Sequence, residues 1–363
     1  MINIEKKRNS GIDLLRTLSM FGIIGLHIIN QGGIISNLQM NTTKYYVVLF
    51  MLVVLYASVN IFGIMTGYLS VNKKDNKNMR IIELLAVTLF WSFAITGVFY
   101  MFNLYNIRSH GIKELICCLF PFIIGRYWYI TCYILLFFMI PYINVLIKKL
   151  SQKQIKTMLI VLFILQTIIP NIIHSDIFAL NNGYSPFWLI FCYMLGGYIR
   201  LYKDEKKIHK WHIVIPLLLA YLSNIAVKIV IWKLLKKESD TTWFINYISP
   251  FIVWFAIEVF MLFKKIKINS NRIVVCVKYI SISSFSVYVI HSNKAIFDYV
   301  IKDLFVFFNN YNGVIIVGGI LLSIVCVYIS CMILDQIRIT MFKIFKIDKL
   351  IDFYGSKLDK LLN

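Results

Sequence analysis

Residues 313–334 carry no Asp, Glu, Lys or Arg, and that run restricts the chain more than any other feature. A spanning helix needs about 20 mainly apolar residues, because hydrocarbon offers no partner for an exposed backbone group. Residues 159–169 form a second uncharged run. Composition extends the same constraint to the whole chain: 59% of its 363 residues are hydrophobic and 15% are charged. Soluble domains hold roughly 45–50% apolar and about 25% charged residues. A soluble fold of this length has too little interior to hide so much apolar surface. The expected class is therefore all-α, a polytopic transmembrane bundle of about ten helices.

The spans are expected at 12–30, 45–70, 81–104, 127–147, 157–173, 186–201, 212–232, 244–263, 279–301 and 313–335. Lys and Arg test the orientation, since they accumulate in cytoplasmic loops. The N-terminal arm, segments 72–80, 148–156, 200–210 and 264–278, and the tail 336–363 hold 27 of them. The intervening loops hold 6. Both termini are therefore expected in the cytoplasm, with a cytoplasmic arm over 1–11, a transmembrane domain over 12–335 and a basic tail over 336–363. The net charge of +21 is spread in these short clusters, which suits anionic lipid and argues against nucleic acid. No window reads as a cleaved secretory signal, so the first apolar stretch is expected to be a retained helix. The seven cysteines lie mostly in apolar segments and form no paired Cys-x-x-Cys motif, so packing roles are expected and a metal site is not. Residues 114–125 are apolar but short, as in a re-entrant or interfacial segment.

An ionisable group within a span costs at least about 2.5–3.5 kcal/mol at the helix centre, so each needs a reason. Asp13, Arg16 and His27 fall in the first span, Arg126 at the mouth of the fourth, and Lys228 and Glu258 in the seventh and eighth. His291, Lys294 and Asp298 fall in the ninth, spaced to share one helical face. Residues eleven apart on an α-helix differ by about 20° in phase and about 16.5 Å in height. Arg16 and His27 therefore lie on one stripe, Arg16 near the inner surface and His27 toward the outside. Arg16 alone could reach the inner headgroups; His27 is too short for that and needs a partner inside the bundle or a ligand. The rings of Tyr127, Trp128 and Tyr129 suit an interfacial belt, or a platform for a sugar.

Asp13, Arg16 and, ten residues after the arginine, His27 resemble the opening of the acyltransferase-3 family of membrane acyltransferases. Residues 60–69, with Gly63, Thr66, Gly67 and Tyr68, look like that family's second-span ending. Trp128, Tyr129, Ile130, Tyr133 and Pro141 are similar to the fourth-span pattern of its cell-surface sugar O-acetyltransferases. Leu195-Gly196-Gly197-Tyr198 resembles the sixth-span ending, and residues 283–291 resemble a late block closing on His291. Together these blocks run from the first span to the last. Two departures stand out. Arg126 occupies a position where relatives often carry another polar residue, and Lys73-Lys74 stand where some members show an arginine pair.

The resemblance implies an acyl donor, usually acetyl-CoA, taken from the cytoplasm, and no permanently bound cofactor. The implied acceptor is a hydroxyl of a cell-surface polysaccharide or lipid-linked glycan. In that setting Arg16, with Lys73 and Lys74, would bind donor phosphate, Asp13 would orient Arg16, and His27 would act as general base or be transiently acylated. Arg126, Trp128, Tyr129, His291 and Lys294 are the candidate acceptor-side residues, with Arg126 or His291 as the oxyanion donor. A glycan or lipid-linked sugar transporter is the rival reading of the same polar stripes. High Ile, Lys and Asn usage points to an AT-rich genome and so to the plasma membrane of a low-GC bacterium.

Overall fold

In the computed structural model, the residues described are 9–72, 79–110, 113–203, 209–236 and 242–362. Lys73 and Lys74 lie outside them. The described residues form thirteen α-helices and no strand. These are α1 (Ser10–Asn30), α2 (Thr43–Ser70), α3 (Met79–Met101), α4 (Lys113–Leu119), α5 (Trp128–Lys149), α6 (Gln152–Phe163) and α7 (Ile169–Ile173). They continue as α8 (Pro186–Tyr202), α9 (Trp211–Leu235), α10 (Pro250–Phe263), α11 (Asn271–His291), α12 (Gly313–Ile344) and α13 (Ile347–Leu362). A π-helical turn at Ile164–Ile168 joins α6 and α7 into one rod. With that rod counted once, eight helices among the described residues are long and apolar enough to cross a membrane. The protein is thus an all-α polytopic bundle.

The two remaining expected spans are short. At about 1.5 Å per residue, the 17 residues of α8 and the 14 of α10 reach roughly 25 Å and 21 Å, below the ~30 Å of a hydrocarbon core. The missing height of α10 is filled by irregular backbone at 242–249, tolerated at depth only when its polar groups are satisfied. Two buried asparagines help to meet that need. Asn60 Nδ2 donates to the Tyr247 carbonyl at 2.8 Å, and its Oδ1 accepts from the Trp188 indole at 2.9 Å. Asn171 Nδ2 donates to the Ile248 carbonyl at 3.2 Å. Asn144 plays a similar part at the opposite end of the bundle, donating to the Ser70 carbonyl and accepting from the Tyr193 hydroxyl.

The central helix is α1. Of the candidate spans it is the most enclosed, with 72% of its most apolar window buried against 22% in α9. Asn9 caps it, accepting from the Ile12 amide, and ties it to the end of α10 by donating to the Lys264 carbonyl at 2.8 Å. On its flank, α2 approaches α1 and α8 through small residues. A Cβ at Gly67 would sit 1.9 Å from the Tyr193 carbonyl oxygen, and one at Gly196 would sit 2.0 Å from that of Ile64. Such small-residue contacts let helices pack where lipid supplies no hydrophobic drive between them.

Three expectations are corrected or completed. The ninth span is not one helix: α11 stops at His291, and a π-helical turn follows at Ile296–Ile301. Lys294 and Asp298 still pair, but on the exposed outer side of that break. Lys228 is buried and donates to the Tyr45 hydroxyl while lying 4.5 Å from the centre of that ring. The stretch after α4 is a series of turns, with the Phe122 carbonyl held by Thr131 and Ile123 fully outward. It does not span.

Candidate active site

Asp13 and Arg16 open the polar face of α1. Arg16 Nη1 donates to Asp13 Oδ1 at 3.0 Å, and the guanidinium side chain keeps 27% exposure while the carboxylate is buried. The pair thus fixes one edge of the arginine. Tyr133, on α5, lies within electrostatic reach of Arg16 and of Arg80 at the start of α3. Arg80 had no distinguishing signal in the sequence, being one basic residue in a cytoplasmic cluster.

At the other end of the stripe, α1 delivers His27 in its last turn. The residue it meets is His291, in the last turn of α11. The His27 Nδ1 to His291 Nε2 distance is 3.1 Å. His291 is fully buried and His27 half-buried, with the Phe297 ring edge-on to His27 at 4.9 Å. The far nitrogen of His291 decides the tautomers. Its Nδ1 is 2.6 Å from the Val287 carbonyl, which can only accept, so Nδ1 carries the hydrogen. With both rings neutral, Nε2 of His291 is then a lone pair and accepts from Nδ1–H of His27. That leaves Nε2 of His27 as a lone pair on a half-buried ring.

A strip of aromatic rings on α5 runs between the two ends. Tyr129 stacks on Tyr133 at 6.4 Å and meets Tyr288 at 6.0 Å, and Tyr288 lies 6.2 Å from His291. The Tyr127 hydroxyl donates to the Val289 carbonyl and accepts from Asn293, so the helix break beyond His291 is pinned to α5. Trp128 turns inward, 4.5 Å from Tyr184 and 6.0 Å from Tyr247. These rings therefore line the bundle interior and do not form a lipid-facing belt. Burial raises the Tyr184 phenol above its ordinary value of 10.0, which keeps it a neutral donor. Arg126 is half-buried within electrostatic reach of the Tyr127 hydroxyl. Tyr56 and Asn30 complete the outer rim, their side chains hydrogen-bonded one turn beyond His27.

The structure thus joins Asp13 to Arg16, and His27 to His291, with Trp128 and Tyr129 facing the space between. It does not bring Lys294 to the dyad. His291 changes part: its Nε2 is taken by His27, so it supports that ring and is not free to hold an oxyanion. Tyr56 and Arg80 are the neighbours that sequence reasoning did not single out, whereas Asn30 continues the polar stripe three residues beyond His27. Among the described residues no group of three His, Cys, Asp or Glu side chains is placed to hold a metal ion.

Comparison with curated proteins and with solved structures returned no match. A family model described as an acyltransferase domain matches residues 9–333, which includes every element of the stripe, the dyad and the aromatic strip. The chain belongs to the acyltransferase-3 family of membrane acyltransferases.

Proposed function

We propose that the protein transfers an acetyl group from cytoplasmic acetyl-CoA to a hydroxyl of a cell-surface polysaccharide, from the plasma membrane of a bacterium. The observation that carries this reading is the His27–His291 hydrogen bond with Val287 behind it, because it orients the His27 ring and leaves its Nε2 as a lone pair. The loop charges put Arg16 at the cytoplasmic face and His27 toward the outside. The donor's phosphates would meet the Arg16 fork, with Arg80 adding charge. The pantetheine arm would run along α1 against the Tyr133 and Tyr129 rings, a span matched to the about 16.5 Å between Arg16 and His27.

In the transfer step Nε2 of His27 removes the acceptor hydroxyl proton as the oxygen attacks the thioester carbonyl. The Nδ1–H bond to His291 steadies the cation formed on His27, as a carboxylate does in a hydrolase triad. Tyr56 and Asn30 are the nearest uncharged donors for the oxyanion. Collapse of the tetrahedral intermediate breaks the carbon–sulfur bond, and the proton on His27 passes to the leaving thiolate. The products are the O-acetyl ester and free CoA thiol.

The test compares surface-glycan acetyl ester in cells lacking the protein, in cells restored with wild type, and in cells restored with His27→Ala. Ester present with wild type and lost with His27→Ala, at equal membrane abundance, is the expected result. Ester retained in the variant would sink the assignment of His27.

A further inference from the structure

A cavity of about 350 Å³ lies where the loop after α7 meets the segment leading into α10. It is separate from the dyad, and neither the family blocks nor the polar stripes pointed to it. Its size falls at the lower end of ligand clefts. Among the described residues, Asn171, His174, Asp176, Asn182, Trp243 and Asn246 help to line it, and no Lys or Arg does.

Three features of this cavity point to one kind of ligand. Asn246 Nδ2 donates to the Trp243 carbonyl at 2.8 Å and to Asn171 Oδ1 at 3.4 Å, yet its own Oδ1 is buried and accepts nothing. A buried acceptor without a donor is costly and calls for an O–H or N–H from outside. The Trp243 ring is held rigidly, its indole donating to the Asn171 carbonyl at 2.5 Å and one face stacked on His174 at 3.9 Å. A fixed indole is a large amphipathic contact surface that loses little freedom on binding. Asp176 spends both carboxylate oxygens on the Leu180 and Asn181 amides, so its charge organises the loop. Of the other lining residues, Asn171, Ser175, Asn182 and Thr242 are neutral and polar, and Pro170 and Ile248 are apolar.

The cavity also connects to the reacting centre. Asn246 precedes Tyr247, whose ring touches Tyr56 at 5.2 Å, Tyr184 at 5.1 Å and Trp128 at 6.0 Å. Tyr56 in turn bonds Asn30, one turn from His27. We propose that this cavity is a second saccharide subsite, holding an uncharged, hydroxyl-rich sugar unit of the acceptor chain next to the unit that is acylated. It rests on the reading that the acceptor is a glycan, and not on the chemistry assigned to His27.

Calorimetric titration of the purified full-length protein in detergent tests it, using maltotetraose, cellotetraose and chitotetraose as probes and poly(glycerol phosphate) as the charged comparison. At least one neutral probe should bind wild type and His27→Ala alike. Asn246→Ala should bind it roughly tenfold more weakly, the loss of about one good hydrogen bond. His174→Asn, which suits the left-handed backbone at φ 53 while removing the stacked ring, should weaken it as well. Equal binding by His27→Ala separates this subsite from the transfer chemistry, since it stands even where no acetyl is moved. Absence of binding by all three neutral probes overturns the subsite. So does unchanged binding in both variants, or binding of the glycerol phosphate polymer alone.

Discussion

His27 Nδ1 and His291 Nε2 stand 3.1 Å apart across 264 residues of chain, the one from the end of α1 and the other from the end of α11. The contact makes His291 a positioning residue. His291→Ala should lower kcat for acyl transfer by about 10²–10⁴-fold, the range of a lost general-base contribution. The KM for the acyl donor should stay near wild type, because the proposed donor contacts lie at the Arg16 end. Equal kcat in both proteins, measured with labelled acetyl-CoA in membranes, would remove His291 from the mechanism.

Arg16 is the proposed donor contact. Arg16→Lys keeps a charge but loses the planar fork, so KM for acetyl-CoA should rise roughly tenfold or more, as for one to two charge-assisted hydrogen bonds. Asp13→Asn should give a smaller rise, since it only orients the guanidinium. Arg80→Gln should raise KM as well, and a steeper salt dependence in wild type than in the variant would mark its long-range share.

The α2–α8 crossing has no spare volume. Gly67→Ala places a methyl 1.9 Å from the Tyr193 carbonyl oxygen, whereas Gly97→Ala meets nothing within 4 Å. Overpacking of this kind costs about 1–3 kcal/mol. Thermal unfolding in detergent should therefore fall by several degrees for Gly67→Ala and stay in place for Gly97→Ala.

Asp335, buried in α12, accepts from Arg338 through both oxygens at 2.7 Å and from the Trp91 indole at 2.9 Å. Removing one partner of a buried ion pair costs about 3–5 kcal/mol, more than replacing both with apolar residues. Asp335→Ala should thus be less stable than the double variant Asp335→Ala, Arg338→Met. A double variant as unstable as the single one would mean that the indole contact, and not the stranded arginine, sets the loss.

Much of this arrangement was legible in the sequence, because it follows from local rules. Helical phase put Arg16 and His27 on one face, and loop charge ordered them across the membrane. The pairing of His27 with His291 was not legible, since it depends on two helices meeting at their ends. The expected face of His291, Lys294 and Asp298 assumed one continuous helix. The break at Ser292–Asn293 carries no Pro or Gly signal and is held by a tertiary contact, Asn293 to the Tyr127 hydroxyl. The inward turn of Trp128 escaped for a related reason. Tyr247 receives it only because α10 starts low, and that start depends on Asn60 and Asn171 satisfying the backbone above it.

The low start of α10 bears on permeability. With α10 reaching about 21 Å of a ~30 Å barrier, the remaining height is backbone at 242–249 whose carbonyls Asn60 and Asn171 satisfy. Polar backbone at that depth makes ion leakage the hazard such a bundle must resist. Close helix packing is what limits it, and α1 sits so near α2 that a Cβ at Gly22 would lie 2.0 Å from Ser58 Oγ. That closeness rests on an absence of side chain, near the midpoint of the helix that carries His27.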